Sequence, residues 1–150
     1  RTEHVLWRLE NGNIDGISPK LAILMIGTNN HSSSPPEVTA RDIRLIVGKL
    51  RIKLPKTTIL VLGIFPRGGN DDDTARQKNM KVNKLISNIG DEDGMIHYRD
   101  IGATFLDGRR MKSDLIPDGA HPNQKGYAAW AKAMEPIVSS LLGETTPIGK

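Results

Sequence analysis

"LAILMIGTNN", residues 21–30, reads as a buried strand that runs straight into a polar turn. Leu21 to Ile26 are all apolar, with no alternation of faces, as expected of a strand covered on both sides in a parallel sheet. "TTILVLGIFPRGG" at 57–69 repeats the pattern, with Thr58 to Ile64 nearly continuous in Leu, Ile and Val. A third, weaker run spans Met95 to Tyr98. Helical signals separate these strands. Ser34, Pro35, Pro36 and Glu37 read as an N-cap, first-turn prolines and the acidic partner of a capping box, after which Ile43, Ile46, Val47, Leu50 and Leu54 recur at helical spacing.

Lys78 to Ile89 predicts a second amphipathic helix with Val82, Leu85, Ile86 and Ile89 on its buried face. The opening "RTEHVLWRLENGN" places Val5, Leu6 and Leu9 on one helical face and stops near Gly12. A last helix is expected from about Gly126, burying Tyr127, Trp130, Ala131, Met134, Val138 and Leu141, with a kink or break at Pro136. Helix and strand therefore alternate along the chain. That order predicts an α/β fold in which right-handed crossovers put helices on both faces of a parallel sheet. In such sheets ligands bind outside the carboxyl ends of the strands, and "GTNNHSS", "FPRGGNDDD" and "RDIGATFLDG" make all three strand exits polar and glycine-bearing.

Composition narrows the function classes. A chain of 150 residues suits one domain and can bury about 70% of the surface of its unfolded form. Lys and Arg number 21 against 17 Asp and Glu, scattered rather than clustered, and aromatic residues are 4% of the chain. No nucleic-acid partner is expected from so mild a charge and so few stacking groups. The absence of cysteine excludes disulfides, thiolate metal sites and a cysteine nucleophile, and leaves the redox compartment, and so the localisation, undecided. Six apolar residues in a row fall far short of the roughly 20 that cross a bilayer.

The chemistry-bearing residues concentrate in "IPDGAHPNQKGY", 116–127. Asp118 lies three residues before His121, Gly119 frees the intervening backbone, and Pro122 biases the histidine away from helix. A carboxylate so placed can accept from one ring nitrogen, fix the tautomer and leave the other nitrogen to take a proton from a hydroxyl. The plainer alternative makes Asp118 a turn cap and His121 an exposed loop residue. In "IGTNN", Gly27 lets the chain turn sharply and Asn29 can aim a neutral amide donor into the crevice, as an oxyanion requires. Its alternative is an ordinary Asx turn at a strand end. Asn30 and Arg67 are further candidates for the pocket wall, with a surface salt link as the competing role for Arg67. His31 follows the asparagine pair at the crevice, whereas His4 and His97 have no carboxylate at useful spacing. "DDD" at 71–73 lacks the ligand spacing of a calcium loop and reads as a helix amino terminus, and no metal or cofactor is expected.

Taken together, G-x-N after a strand, "GIFPRG" after another and a late D-G-x-H-P-N before an aromatic-bearing helix resemble the SGNH, or GDSL-type, hydrolases. "RTEHVLWRLENG", "IGTNN", "GIFPRG" and "DGAHPNQKGYAAWA" are similar, within that family, to the catalytic alpha subunits of platelet-activating-factor acetylhydrolase and their bacterial relatives. The resemblance runs from Arg1 to about Leu142. It implies a flavodoxin-like, three-layer α/β/α domain with a parallel sheet near five strands. It also implies Asn29 as an oxyanion-hole residue, Asp118 as the orienting acid and His121 as the base. The implied reaction is hydrolysis of a short-chain, above all acetyl, ester of a lipid or carbohydrate.

Two blocks of that pattern are missing, the nucleophile block and a second oxyanion-donating glycine that the family carries just ahead of the segment beginning here at Arg1. The family carries its nucleophilic serine in G-D-S near the amino terminus, and none of Ser18, Ser32, Ser33, Ser34, Ser87, Ser113, Ser139 and Ser140 has that context. Residues 1–143 are therefore expected to form the carboxyl-terminal two-thirds of such a domain, lacking its first strands, with 144–150 as a flexible tail. Two consequences are expected. The edge at Leu21 to Ile26 should pair with an upstream segment or with another copy of the chain, and residues 1–150 alone should turn over little or no ester. The rival reading is a non-catalytic binding or assembly module that keeps the fold.

Overall fold

A computed structural model describes residues 1–90 and 93–143. Its elements are α1 (Thr2–Glu10), β1 (Leu21–Leu24), α2 (Pro36–Lys53), β2 (Thr58–Leu62), α3 (Thr74–Ile86), β3 (Ile96–Arg99), a small hairpin of β4 (Leu106–Asp107) and β5 (Arg110–Met111), and α4 (Gln124–Leu142). The sheet has the order β1-β2-β3 and is parallel throughout. Leu21 to Leu24 lie opposite Thr58 to Val61, and Ile59 to Leu62 opposite Ile96 to Arg99.

The central strand shows why the layers form. Side chains alternate across a strand, so Ile59 and Val61 enter a core built with Leu9 of α1, Ile43, Ile46 and Val47 of α2, and Val82 and Ile86 of α3. Leu60 and Leu62 point the other way and pack with Met134, Trp130 and Val138 of α4. Helices α1, α2 and α3 thus cover one face and α4 the other, giving the three-layer α/β/α arrangement. The resemblance implied about five strands; three parallel strands are seen among the described residues. No helix among those residues is long and apolar enough to cross a membrane. Residues 144–150, expected to be a tail, lie outside the described residues.

Several local expectations are corrected. Helix α2 starts at Pro36 with Pro35 as its N-cap and no side-chain cap. The capping box fails because the Ser34 N–H is already committed to the Asn30 carbonyl (2.9 Å), while Glu37 reaches Lys81 Nζ on α3 (2.6 Å). Helix α3 starts earlier than its apolar periodicity indicates, at Thr74, because Asp73 accepts the N–H groups of Ala75 and Arg76 (2.9 and 3.1 Å). Leu85 and Tyr127, assigned to buried faces, are 37% and 58% exposed. Pro136 does not break α4. Both Pro136 and Lys132, whose carbonyl loses the missing N–H, lie on the exposed side, where water can take the bond. The β4-β5 hairpin was not foreseen.

Strand β1 forms one edge of the sheet, so its outer side has no strand beside it among the described residues. On the α4 side of the sheet, Leu60 is fully buried, whereas Ile23 of β1, which shares that face, is 48% exposed. Leu60→Ala should therefore lower unfolding free energy by about 2–5 kcal/mol, and Ile23→Ala by less than about 1 kcal/mol, both read by urea denaturation. Equal losses at the two positions would show that Ile23 is covered in solution.

Candidate active site

All the candidate residues gather at the carboxyl ends of the strands, on the exits of β1 and β2 and on the loop before α4. At the β1 exit, Gly27 adopts φ +120°, and a Cβ there would come within 2.8 Å of Ile64 Cδ1 and 3.0 Å of Thr39 Cγ2. Only glycine meets both conditions comfortably. The chain then makes a 3-10 turn over Thr28–Asn30. Here the two asparagines separate. Asn29 is exposed, and with Arg1, Met25, Ile26, Gly27, Thr28 and Ile64 it lines a cavity of about 60 Å³.

Asn30 is turned inward and is only 1% exposed. Its Oδ1 accepts the Thr2 N–H (3.2 Å), and its Nδ2 donates to Thr2 Oγ1 (3.0 Å) and Glu3 Oε2 (3.3 Å). Its amide therefore ties the turn to the start of α1 and is not available to a ligand, which corrects the expectation that it lines the pocket.

The loop before α4 brings Asp118 and His121 together. Asp118 Oδ1 accepts the N–H groups of Ala120 (2.9 Å) and His121 (2.8 Å), and its Oδ2 lies 2.7 Å from His121 Nδ1. With a carboxylate as acceptor, the shared proton sits on Nδ1, which leaves the Nε2 lone pair free. The His121 side-chain hydrogen bond, followed by the two backbone donors, holds the Asp118 carboxyl well below the usual carboxylate range. Beyond the histidine, Asn123 pins the chain by donating its backbone N–H to Leu115 O (2.9 Å) and its Nδ2 to Asp114 O (2.9 Å). The same side chain caps α4 by accepting the Gly126 N–H (3.0 Å). Both side chains of the pair face solvent, with His121 79% and Asp118 57% exposed.

The β2 exit joins the two halves. Arg67 Nη1 makes long contacts with Thr28 Oγ1 (3.4 Å) and Asn29 Oδ1 (3.5 Å), which turn the carbonyl end of the Asn29 amide toward the guanidinium. The next residue, Gly68, donates its N–H to Gly119 O (2.9 Å), between Asp118 and His121. Half-buried His31 stands close by, and burial followed by the Arg67 charge pushes its ring below the ordinary imidazole range. A shallow cavity of about 310 Å³ lies on the Gly69, Pro117, Asp118 and Gly119 side of the loop contact. The largest described cavity, about 420 Å³, is elsewhere, among Lys20, Lys53 and Lys56 at the amino ends of β1 and β2. Position outside the carboxyl ends of the strands and convergent polar groups favour the smaller site.

Sequence reasoning missed the residues that hold this site. Helix α3 presents Arg76, Asn79 and Asn83 along one side. Asn83 receives the Ile64 N–H (2.8 Å) and donates to Ile64 O (2.9 Å), Asn79 donates to Phe65 O (3.3 Å), and Arg76 donates to Arg67 O (2.8 Å) and Gly68 O (2.6 Å). The only available signal was the helical spacing of 76, 79 and 83. Among the described residues, no cluster of three or more His, Asp or Glu side chains converges as metal ligands would.

Residues 1–129 match the family model for GDSL-like lipase/acylhydrolases. The alpha2 subunit of platelet-activating factor acetylhydrolase IB from Rattus norvegicus is 38% identical over 146 residues, which cover 96% of this chain and 62% of the relative. The chain thus spans about three-fifths of the length of such relatives. A GDSL-like lipase from Bacteroides thetaiotaomicron VPI-5482 superposes with a TM-score of 0.75 at 17% identity, over 93% of this chain and 71% of that one. A carbohydrate esterase family 3 protein from Talaromyces cellulolyticus gives 0.66 at 18% identity, over 97% and 67%. At these identities the two structures show a shared fold.

The Asp118–His121 contact has a consequence in acid. A carboxyl whose pKa is depressed on folding contributes stability that is present above its unfolded pKa, near 3.9, and is lost as the pH falls through its lower folded value. The Asp118 carboxylate ¹³C resonance should therefore stay in its ionised position between about pH 5 and pH 3, where an unperturbed aspartate titrates. In His121→Ala its midpoint should rise. A normal aspartate titration in the unmodified protein would disprove the contact.

Proposed function

The chain belongs to the GDSL-like lipase/acylhydrolase family, and on that premise we propose that it supplies the acid–base and oxyanion-binding parts of a serine esterase acting on short-chain, above all acetyl, esters of a lipid or carbohydrate. The observation that carries this reading is the 2.7 Å contact of Asp118 Oδ2 with His121 Nδ1, which leaves Nε2 unencumbered at the sheet end that also bears Asn29. The acetylhydrolase and carbohydrate esterase names of its relatives and neighbours support the acyl size and the two substrate classes.

In this reading a serine hydroxyl attacks the ester carbonyl as its proton passes to His121 Nε2. Asp118 accepts from Nδ1–H and stabilises the imidazolium that forms. The carbonyl oxygen, now negative, is met by the Asn29 Nδ2 donor, and collapse of the tetrahedral adduct expels the alcohol, which takes the proton back from His121. Water then repeats the sequence on the acyl-enzyme and releases the acid. In this reading the attacking hydroxyl comes from a G-D-S block of the kind the family carries, a context that none of the eight serines of residues 1–150 has. Ser139, for example, is buried in α4 against Glu135, and the Ser87 hydroxyl is spent on Lys84 O.

The test is hydrolysis of a chromogenic acetate by the longest natural open reading frame that contains this segment, beside residues 1–150 alone. The long form should turn over. In it, His121→Ala should lose about 10²- to 10⁴-fold in kcat, and Asn29→Ala about 10²- to 10³-fold. The short form should be close to inactive; turnover there that disappears with His121→Ala would place the nucleophile inside this chain. A long form with no activity on acetate or longer acyl esters would sink the esterase reading in favour of a binding or assembly module.

A further inference from the structure

Arg76 is 1% exposed, yet it carries a permanent charge. Burying a guanidinium is costly unless its donors are satisfied, and here they are spent almost wholly on main chain. Nε donates to Arg67 O (2.8 Å), Nη2 to Gly68 O (2.6 Å) and Nη1 to Arg109 O (2.7 Å) and Asp71 Oδ1 (3.2 Å). Asp71 is held in turn by Arg109 Nε. One side chain therefore joins α3, the β2 exit and the β4-β5 hairpin.

The peptide between Arg67 and Gly68 turns this anchor into a positioning device. Its carbonyl oxygen and amide hydrogen lie on opposite sides of a planar trans unit. With the carbonyl fixed on Arg76 Nε, the Gly68 N–H is aimed the other way, and its acceptor there is Gly119 O at 2.9 Å. The turn leaves no slack at either glycine. Gly68 has φ +74° with Asp73 occupying the space a Cβ would need, and a Cβ on Gly119 would lie 3.2 Å from Gly68 Cα. Gly119 is flanked by Asp118 and by Ala120, whose N–H is bound by Asp118.

We infer that Arg76 is a positioning residue for His121: through the 67–68 peptide and the Gly119 carbonyl it fixes the turn in which Asp118 holds the imidazole in its Nδ1–H form. The kinetic part of this inference rests on the esterase reading, and the structural part does not.

The test uses the full 150-residue chain carrying Arg76→Lys, which keeps the charge without the fork, and Arg76→Gln, with Ile86→Ala as a core control remote from the loop. Two-bond ¹H–¹⁵N correlation reads the His121 tautomer directly, and amide exchange reads the Gly68 N–H. The unmodified protein should show the Nδ1–H tautomer and a protected Gly68. Both Arg76 variants should shift His121 toward the Nε2–H form and expose Gly68, while the Gly63 N–H, bonded to Arg99 O (2.9 Å), stays protected. Ile86→Ala should leave His121 and Gly68 as they were.

Folded Arg76 variants with an unchanged tautomer and an unchanged Gly68 would overturn the inference. If neither variant folds, exchange in the unmodified chain decides, and rapid exchange at Gly68 overturns it. In the long form, Arg76→Lys should lower kcat about 10²-fold with little change in KM. Because tautomer and exchange need no turnover, a protein that proves not to be an esterase still answers the structural question.

Discussion

The structure depends on how the chain leaves β2. From Gly63 to Gly69 it has passed the end of the sheet, and a backbone that is half buried there needs partners for its N–H and C=O groups. Helix α3 provides them. Arg76, Asn79 and Asn83 run down one side of the helix and engage residues 68 and 67, then 65, then 64, so one element reads the other in reverse order. Each bond is modest in net terms, yet removing a donor would leave a buried carbonyl unpaired, at a cost of about 1–3 kcal/mol. Among the described residues no buried side-chain nitrogen or oxygen lacks a partner.

That grip connects the two apolar cores to the chemistry. The helix is itself seated by Val82 and Ile86 in the core against the sheet. Phe65 and Phe105 pack at 4.5 Å, and Trp130 of α4 meets Phe65 edge-on at 4.7 Å. The aromatic cluster lies under the same segment whose backbone α3 holds from the side. Arg67 and Gly68 then extend beyond it, one toward Asn29 and the other toward Gly119. The two halves of the candidate site thus share a common support and hold a defined separation, as preorganised catalysis requires.

Much of this could be read in the amino-acid order. Continuous apolar residues marked β1 and β2, though burial on both faces holds only for β2, since Ile23 leaves β1 open on the α4 side, and the carboxyl-edge rule placed the polar exits at the site. Asp118 and His121 were legible because the pair is local, three residues apart in a turn. The rest was obscured for identifiable reasons. Arg76 looks like any helix arginine because three of its partners are main-chain carbonyls, and carbonyls carry no sequence signature. Asn29 and Asn30 have the same chemistry, and only the 3-10 turn decides which is buried. The capping box at Ser34 matched its motif but lost to the competing Glu37–Lys81 ion pair, and Tyr127 kept the helical period without gaining a neighbour that covers it.

The exposure of His121 bears on what the site needs in order to work. An imidazolium formed in water is already stabilised by solvent, so the Asp118 contact adds less there than it would in a dry pocket, where the effective dielectric falls and each fixed dipole counts for more. On the proposed reading the same holds for the Asn29 amide, whose advantage over water as an oxyanion donor would come from being fixed and unscreened. On the proposed reading, orientation is supplied from below, by the α3 grip and the 67–68 peptide, and water exclusion would come from the bound substrate. The cavity of about 60 Å³ beside Asn29, walled by Met25 and Ile64, is small, so on the proposed esterase reading contacts made by the rest of the substrate would do most of the drying.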